Sequence, residues 1–215
     1  MELDPAGLSY QDAYKLLIGA VLPRPIAFVS TLSVDGVPNL SPFAFYNVVS
    51  SQPPILVVSV GRRPDGRRKD TAENAIATGE LVINAVTEDL IERASLASGP
   101  WEPGLDEFDL TGLTPLPSLH VRPARVAESP INMECRLERY ITLGEGVAAH
   151  DVLFAQILLF HIRDDLYQNG RIDTERLRPL GRLAGDVYVR VRDPLAVPRP
   201  LAAPAAQPAT SDSTG

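Results

Sequence analysis

The chain has 215 residues, 45% hydrophobic and 22% charged, which suffices for one folded domain with a real core. Its net charge of −7 argues against a general nucleic-acid or anionic-membrane surface. Cys135 stands alone, which excludes an intrachain disulfide and a cysteine-based zinc site. No basic and apolar leader opens the sequence, and the longest apolar run, Val152–Phe160, is too short to cross a bilayer. The expectation is a cytoplasmic protein with neither nucleic acid nor membrane among its partners.

Taken in order, Ser9 is a cap for a short helix through Ala13–Leu17. Ile26–Thr31 reads as a strand buried on both faces, with Ile26, Phe28 and Ser30 on one side and Ala27, Val29 and Thr31 on the other. Asp35-Gly36 supplies a hairpin turn, and Val37–Leu40 returns. Pro42, lacking an N–H, is expected to interrupt that strand. An apolar loop, Phe43-Ala44-Phe45-Tyr46, follows and closes at Asn47. This stretch sets Ser30, Thr31, Ser41 and Asn47 beside rings and backbone amides, which suits a small planar anion. The same pattern also fits an ordinary core hairpin.

Ile55–Val60 is an apolar strand, and Gly61–Lys69 is a basic loop, GRRPDGRRK. Asp70 as N-cap with Glu73 three residues on predicts a capping box for a helix to about Thr78, with Gly79 ending it. Leu81–Val86 is a buried strand. Thr87 is expected to cap a second helix through Ala97. Trp101–Pro123 reads as loop, with an acidic cluster at Asp106–Asp109. Cys135–Leu143 alternates, placing Cys135, Leu137, Ile141 and Leu143 on a buried face and Glu134, Arg136, Glu138 and Tyr140 on a polar one. His150–Ile162 is a long strand, Asn169-Gly170 a turn, Thr174–Leu177 a short helical piece, and Leu180–Val191 closes a domain of residues 1–192. From Asp193 the Pro- and Ala-rich sequence has no periodicity and reads as a disordered tail. The sum is a mainly β protein with peripheral helices, of barrel type rather than doubly wound.

Several chemistries find no motif. There is no G-x-G-x-x-G, no G-x-x-x-x-G-K-[ST] and no G-x-S-x-G. His120, His150 and His161 are scattered and are expected to be structural, with no metal site. One constellation is left: the basic loop runs into a helix start, where free N–H groups and a partial positive charge favour phosphate. Lys69 adds a charge and Thr71 a hydroxyl. A solvated basic loop before a plain helix cap meets the same description.

The hairpin and this helix start together resemble the flavin reductase-like family of FMN-binding split barrels. The matching residues are Arg24-Pro25-Ile26, Val29-Ser30-Thr31, Asp35-Gly36, Asn39-Leu40-Ser41-Pro42-Phe43, Pro53-Pro54, Lys69-Asp70-Thr71, Asn74 and Val82-Ile83-Asn84. Later come Glu107-Phe108, Glu128-Ser129-Pro130, Glu134-Cys135, Arg182, Gly185 and Tyr188. The ordered set covers about Leu16–Tyr188. The resemblance implies a split β-barrel homodimer holding FMN near its interface, with Arg24, Ser30, Thr31, Ser41, Phe43, Ala44 and Asn47 around the flavin and Lys69 and Thr71 on its phosphate. It also implies NADH or NADPH as hydride donor to the flavin, an electron acceptor beyond it, often a partner monooxygenase, and no protein acid or base that must be named as catalytic. A flavin-binding electron carrier without reductase turnover is the other activity it allows. Ala44 stands where many members carry serine, so one side-chain hydrogen bond to the cofactor is expected to be missing. Leu183-Ala184-Gly185 replaces a commoner pattern with two glycines.

Overall fold

The computed structural model describes residues 1–102 and 104–200. Helix α1 (Tyr10–Ala20) starts at Ser9, whose hydroxyl accepts from the Asp12 N–H, as expected. The strands β1 (Ala27–Leu32), β2 (Pro38–Phe43), β3 (Tyr46–Ser51) and β4 (Pro54–Gly61) follow, then α2 (Asp70–Thr78), β5 (Glu80–Ala85), α3 (Ile91–Ala97) and α4 (Glu107–Thr111). A two-residue pairing of β6 (Pro115–Leu116) with β7 (Arg125–Val126) precedes the long hairpin β8 (Ile131–Leu143) and β9 (His150–Ile162). Short pairs β10 (Tyr167–Gln168) with β11 (Arg171–Ile172), and β12 (Leu180–Arg182) with β13 (Tyr188–Arg190), flank α5 (Thr174–Leu177).

Seven strands form one antiparallel sheet in the order β2-β1-β5-β8-β9-β4-β3. Its first strand comes back beside β4 with no ladder between them, so the barrel is split along that line. This explains the first departure from expectation. Pro42 does not interrupt β2, because β2 is an edge strand and a missing N–H costs nothing on its open side. The loop after it shrinks to Ala44-Phe45.

The two faces of β1 serve two cores. Ala27 and Val29 enter the barrel interior with Leu56, Val58, Leu81, Ile83 and Leu153. Phe28 faces a second core with Leu40, Leu90, Ala94 and Phe108, beneath α3 and α4. The alternation read from Ile26–Thr31 is therefore the one observed. Helix α2 drops Ala72 and Ala75 into the barrel.

Caps and faces differ from expectation in four places. Lys69, not Asp70, is the N-cap of α2, and it makes no side-chain cap bond. Asp70 pairs with Arg63 at 2.8 Å instead, while Gly79 ends the helix in the left-handed conformation as expected. Thr87 lies in a bridge to Pro179, and α3 begins only at Ile91. The acidic cluster starts α4, with the Asp106 carboxylate accepting from the Phe108 N–H. In β8 a bulge at Glu134/Cys135 buries both neighbours, which breaks the predicted alternation. Glu134 survives burial because it accepts from the N–H groups of Leu119 and His120 and meets His161 Nε2 at 2.6 Å. Past a second bulge the supposed core residues Ile141 and Leu143 are 44% and 55% exposed. Asp193–Pro200 is exposed and has no helix or strand, and the remainder of the expected tail lies outside the described residues.

Candidate functional site

The split between β2 and β4 opens into two joined cavities. The first, about 340 Å³, is an aromatic chamber. Its walls come from Phe43 at the end of β2 and Phe45 after it, from Tyr10 and Tyr14 on α1, from His150 at the start of β9, and from Tyr188 on β13. The rings form a ladder: Tyr10–Tyr14 at 6.5 Å, Tyr14–Phe45 at 6.2 Å, and Phe45–His150 stacked at 5.8 Å. His150 is fixed by a 3.0 Å hydrogen bond between Nδ1 and Ser59 Oγ. Gly61 lets the ring in, since a Cβ there would sit 3.3 Å from His150 Cε1. Burial, and next the charge of Lys69, pull the His150 pKa below the ordinary histidine value, against the opposing pull of Asp151.

The second cavity, about 560 Å³, is a groove between the basic loop and the Ser98–Glu102 segment. Arg62, Lys69 and Ser98 line both cavities, which makes them one continuous site. The loop's arginines are committed. Arg62 and Arg68 reach the fully buried Asp151 at 3.0 and 3.2 Å, Arg63 reaches Asp70, and Arg67 reaches Asp65. Thr142 Oγ1 completes the Asp151 site at 2.7 Å. Among the described residues, Lys69 is the loop cation without a carboxylate partner. Its ammonium lies 5.8 Å from the Phe43 ring centroid. Lys69 keeps solvent access along the groove, yet crowding by protein on its other sides and then the Arg63 charge lower its pKa. A dianion there would relieve both effects.

The residues expected at the site divide. Arg24, Phe43 and Ala44 line the chamber, Ser41 and Thr71 line the groove, and Lys69 lines both. Ser30 is not brought to it: its hydroxyl donates to the Ala124 carbonyl at 2.5 Å, on the second-core side of β1. Thr31 is buried, its oxygen accepting from the Asn39 and Asn74 amides. Asn47 is exposed on β3, accepts from the Val48 N–H, and borders a separate apolar crevice with Leu17 and Val21. Thr71 is itself 1% exposed, and its oxygen accepts from Asn39 at 2.9 Å.

Arg24 is unusual. It is 7% exposed, and its terminal nitrogens donate to the carbonyls of Ile18, Val21 and Leu183 at 2.7–2.9 Å. Its Nε is buried with no partner among the described residues. Such an orphan donor beside a chamber walled by rings fits a planar ligand with a polar edge.

Sequence reasoning missed His150, Arg62 and Glu107 as lining residues. Glu107 lies under the groove, and its carboxylate accepts from the Leu40 N–H at 2.8 Å. Burial is the main cause that raises its pKa to about 7.

A family model described as "Flavin reductase like domain" matches residues 19–176. The chain belongs to the flavin reductase-like family. Membership implies flavin binding, and the fold is that of split-barrel flavin reductases. An uncharacterized protein of Halalkalibacterium halodurans is 46% identical over 93% of this chain and 97% of its own length. Nitrilotriacetate monooxygenase component B from Bacillus cereus is 38% identical, with a TM-score of 0.88 over 92% of this chain and 98% of that one. The 2-nitrobenzoate 2-nitroreductase NbaA of Pseudomonas fluorescens is 29% identical, with a TM-score of 0.85 over 96% and 100%.

Proposed function

We propose that this chain is an NAD(P)H-dependent FMN oxidoreductase that passes electrons through flavin to a second acceptor. The observation that carries the reading is Lys69, a cation with no carboxylate partner among the described residues, at the junction of the aromatic chamber and the groove. The isoalloxazine belongs in the chamber and the phosphate on Lys69 and the Thr71 helix start. When bound, the flavin supplies hydride acceptance and onward electron transfer. The chain's own part is binding and orientation. Phe43, Phe45 and Tyr14 shape the slot, the Arg24 Nε–H offers a donor to a ring carbonyl, and His150, kept neutral at the chamber wall, adds no competing charge.

A homodimer is proposed on the family resemblance, supported by the apolar side chains that one chain leaves exposed: Val48 and Val49 on β3 and Leu158 and Phe160 on β9. By likeness to a monooxygenase component B, the acceptor is proposed to be flavin used by a partner oxygenase in the cytoplasm. The folded unit is taken to end near Arg192, and removing residues 193–215 is expected to leave flavin binding intact.

Anaerobic titration of the flavin-loaded protein with NADH and with NADPH tests the reading. Bleaching of the flavin absorbance by either donor is expected. A flavin that binds yet resists both donors would leave an electron carrier, and a protein that binds no flavin would sink the proposal.

A further inference from the structure

Two of the chamber's walls, Arg182 and Tyr188, stand on the hairpin β12–β13. Among the described residues this hairpin has no ladder to the seven-stranded sheet. Two single bridges join it to the body, Arg24 to Arg182 and, just before β12, Thr87 to Pro179. The chamber end is fitted closely. A Cβ on Gly181 would fall 2.6 Å from Pro23 Cβ, and the Arg182 guanidinium lies 4.4 Å from the Tyr188 ring centroid. The opposite end is held by charge. The Glu88 carboxylate accepts from Arg178, Arg190 and Arg192 at 3.1, 3.1 and 2.9 Å. Its side chain is 11% exposed, while those of the arginines are 48%, 65% and 61% exposed, so the acid is the hub and the arginines are its spokes. Asp89 takes a second contact from Arg178 at 3.2 Å. With Glu88 neutral, Asp89 alone would oppose the mutual repulsion of three guanidiniums. One exposed ion pair contributes little, but several that share a hub act as a network. Arg190 is two residues from Tyr188 and on the same face of β13, so what fixes one fixes the other. All three arginines lie beyond residue 176, where the match to the family model ends.

On the flavin reading of the chamber, we propose that Glu88 is a positioning residue: it gathers Arg178, Arg190 and Arg192 and so clamps β12–β13 where Arg182 and Tyr188 complete the wall. Without the clamp the hairpin spends part of its time away from the chamber, and ligand affinity falls with the fraction of molecules that keep the wall in place.

Riboflavin is the probe, because it is uncharged. Salt then has no charge on the ligand to screen and acts on binding through the protein's own ion pairs. From about 0.1 M to about 1 M salt the screening length falls from about 10 Å to about 3 Å, and the wild type should lose riboflavin affinity relative to Glu88→Gln. At low salt Glu88→Gln should bind riboflavin and FMN roughly threefold to fivefold more weakly, the size of one exposed ion pair. The ratio between the two ligands should stay that of the wild type. In a Tyr188→Ala background the same change should lose most of its effect, since the clamp acts through that wall. Arg190→Gln, which drops one exposed spoke and keeps the hub, should act in the same direction and serves if Glu88→Gln folds poorly. Hydrogen exchange read by mass spectrometry should quicken over residues 180–191 in either variant and stay as it was over β8 and β9. Riboflavin held alike by the wild type and both variants overturns the proposal, even if hairpin exchange quickens, because Glu88 would then tie the chain without serving the chamber. A wild type that binds no riboflavin defeats the flavin reading instead, and exchange over residues 180–191 then decides the clamp by itself.

Discussion

Two hydroxyl-bearing stretches of this chain look alike in sequence and end in opposite situations. Ser30 and Thr31 on β1 are 1% and 2% exposed, and their hydroxyls are consumed by Ala124 and by the Asn39 and Asn74 amides. Ser41 and Lys69 line the open groove, and Lys69 has no acidic partner among the described residues. The difference teaches that residue type proposes a ligand group, while topology decides whether the group is still available. β1 sits between two cores and must satisfy every polar atom internally. The edge of β2 and the start of α2 face the split, where no strand claims them.

The comparison sharpens first at Glu107, which is buried like Ser30 yet lies under the groove like Lys69. Its pKa rises from 4.5 to about 7 on folding, mainly through burial. The folded protein thus holds a proton that the unfolded chain has lost across that window, and stability falls as pH rises through it. At about one unit per 1.4 kcal/mol the loss is at most about 3 kcal/mol above neutrality. Glu107→Gln keeps an oxygen for the Leu40 N–H and cannot ionise. Its thermal midpoint should exceed that of the wild type at alkaline pH and lose most of the slope between acid and neutral pH. Parallel midpoint curves for the two proteins would remove Glu107 as the cause.

At Lys69 the expected effect is on ligand affinity and not on folding. Lys69→Ala deletes a charge-assisted hydrogen bond of roughly 1.5–3 kcal/mol, so FMN affinity should fall roughly tenfold to a hundredfold. Riboflavin, with the ring but no phosphate, should be held as before. Equal losses for both ligands would mean that Lys69 shapes the chamber and does not bind phosphate. Ser30→Ala is the converse. It leaves the Ala124 carbonyl short of a partner and should cost roughly 1–2 kcal/mol in denaturant unfolding, with FMN and riboflavin affinities unchanged. A selective loss of flavin affinity in Ser30→Ala would return that hydroxyl to the site.

How much of this was legible in the sequence follows from range. The β1 alternation, the Asp35-Gly36 and Asn169-Gly170 turns and the Gly79 helix end are local, set by backbone preference and period, and the observed strands and turns match them. The split-barrel family was legible as an ordered set of motifs. The burial of Glu134 and the exposure of Ile141 and Leu143 were not, because a bulge shifts the period without a composition signal. The role of His150 is hidden in the sequence, where it is one scattered histidine, because its partners Phe45 and Ser59 are far away along the chain; Ser59 is 91 residues off. The pairing of four arginines with Asp65, Asp70 and Asp151 was equally hidden, and it is this pairing that singles out Lys69.

Thr71 is the finest test, because it belongs to both sides of the comparison. The sequence suggests a hydroxyl donor to phosphate. In the structure the side chain is 1% exposed, its oxygen accepts from Asn39 Nδ2, and Asn39 also reaches Thr31. The oxygen is thus spent on the scaffold, while the hydroxyl hydrogen has no acceptor among the described residues and can still point to the groove. Thr71→Val removes both functions at nearly constant volume. Losing the acceptor should cost roughly 1 kcal/mol of stability, the usual value of a neutral hydrogen bond. Losing the donor should weaken FMN by only a few-fold, less than Lys69→Ala, because no charge is deleted. Thr71→Ser, which keeps the hydroxyl and drops a methyl group, should restore FMN affinity even if it packs less well. The informative ratio is FMN to riboflavin. If Thr71→Val lowers stability but leaves that ratio where the wild type has it, the hydroxyl serves only Asn39 and the phosphate is held by Lys69 and the helix N–H groups alone.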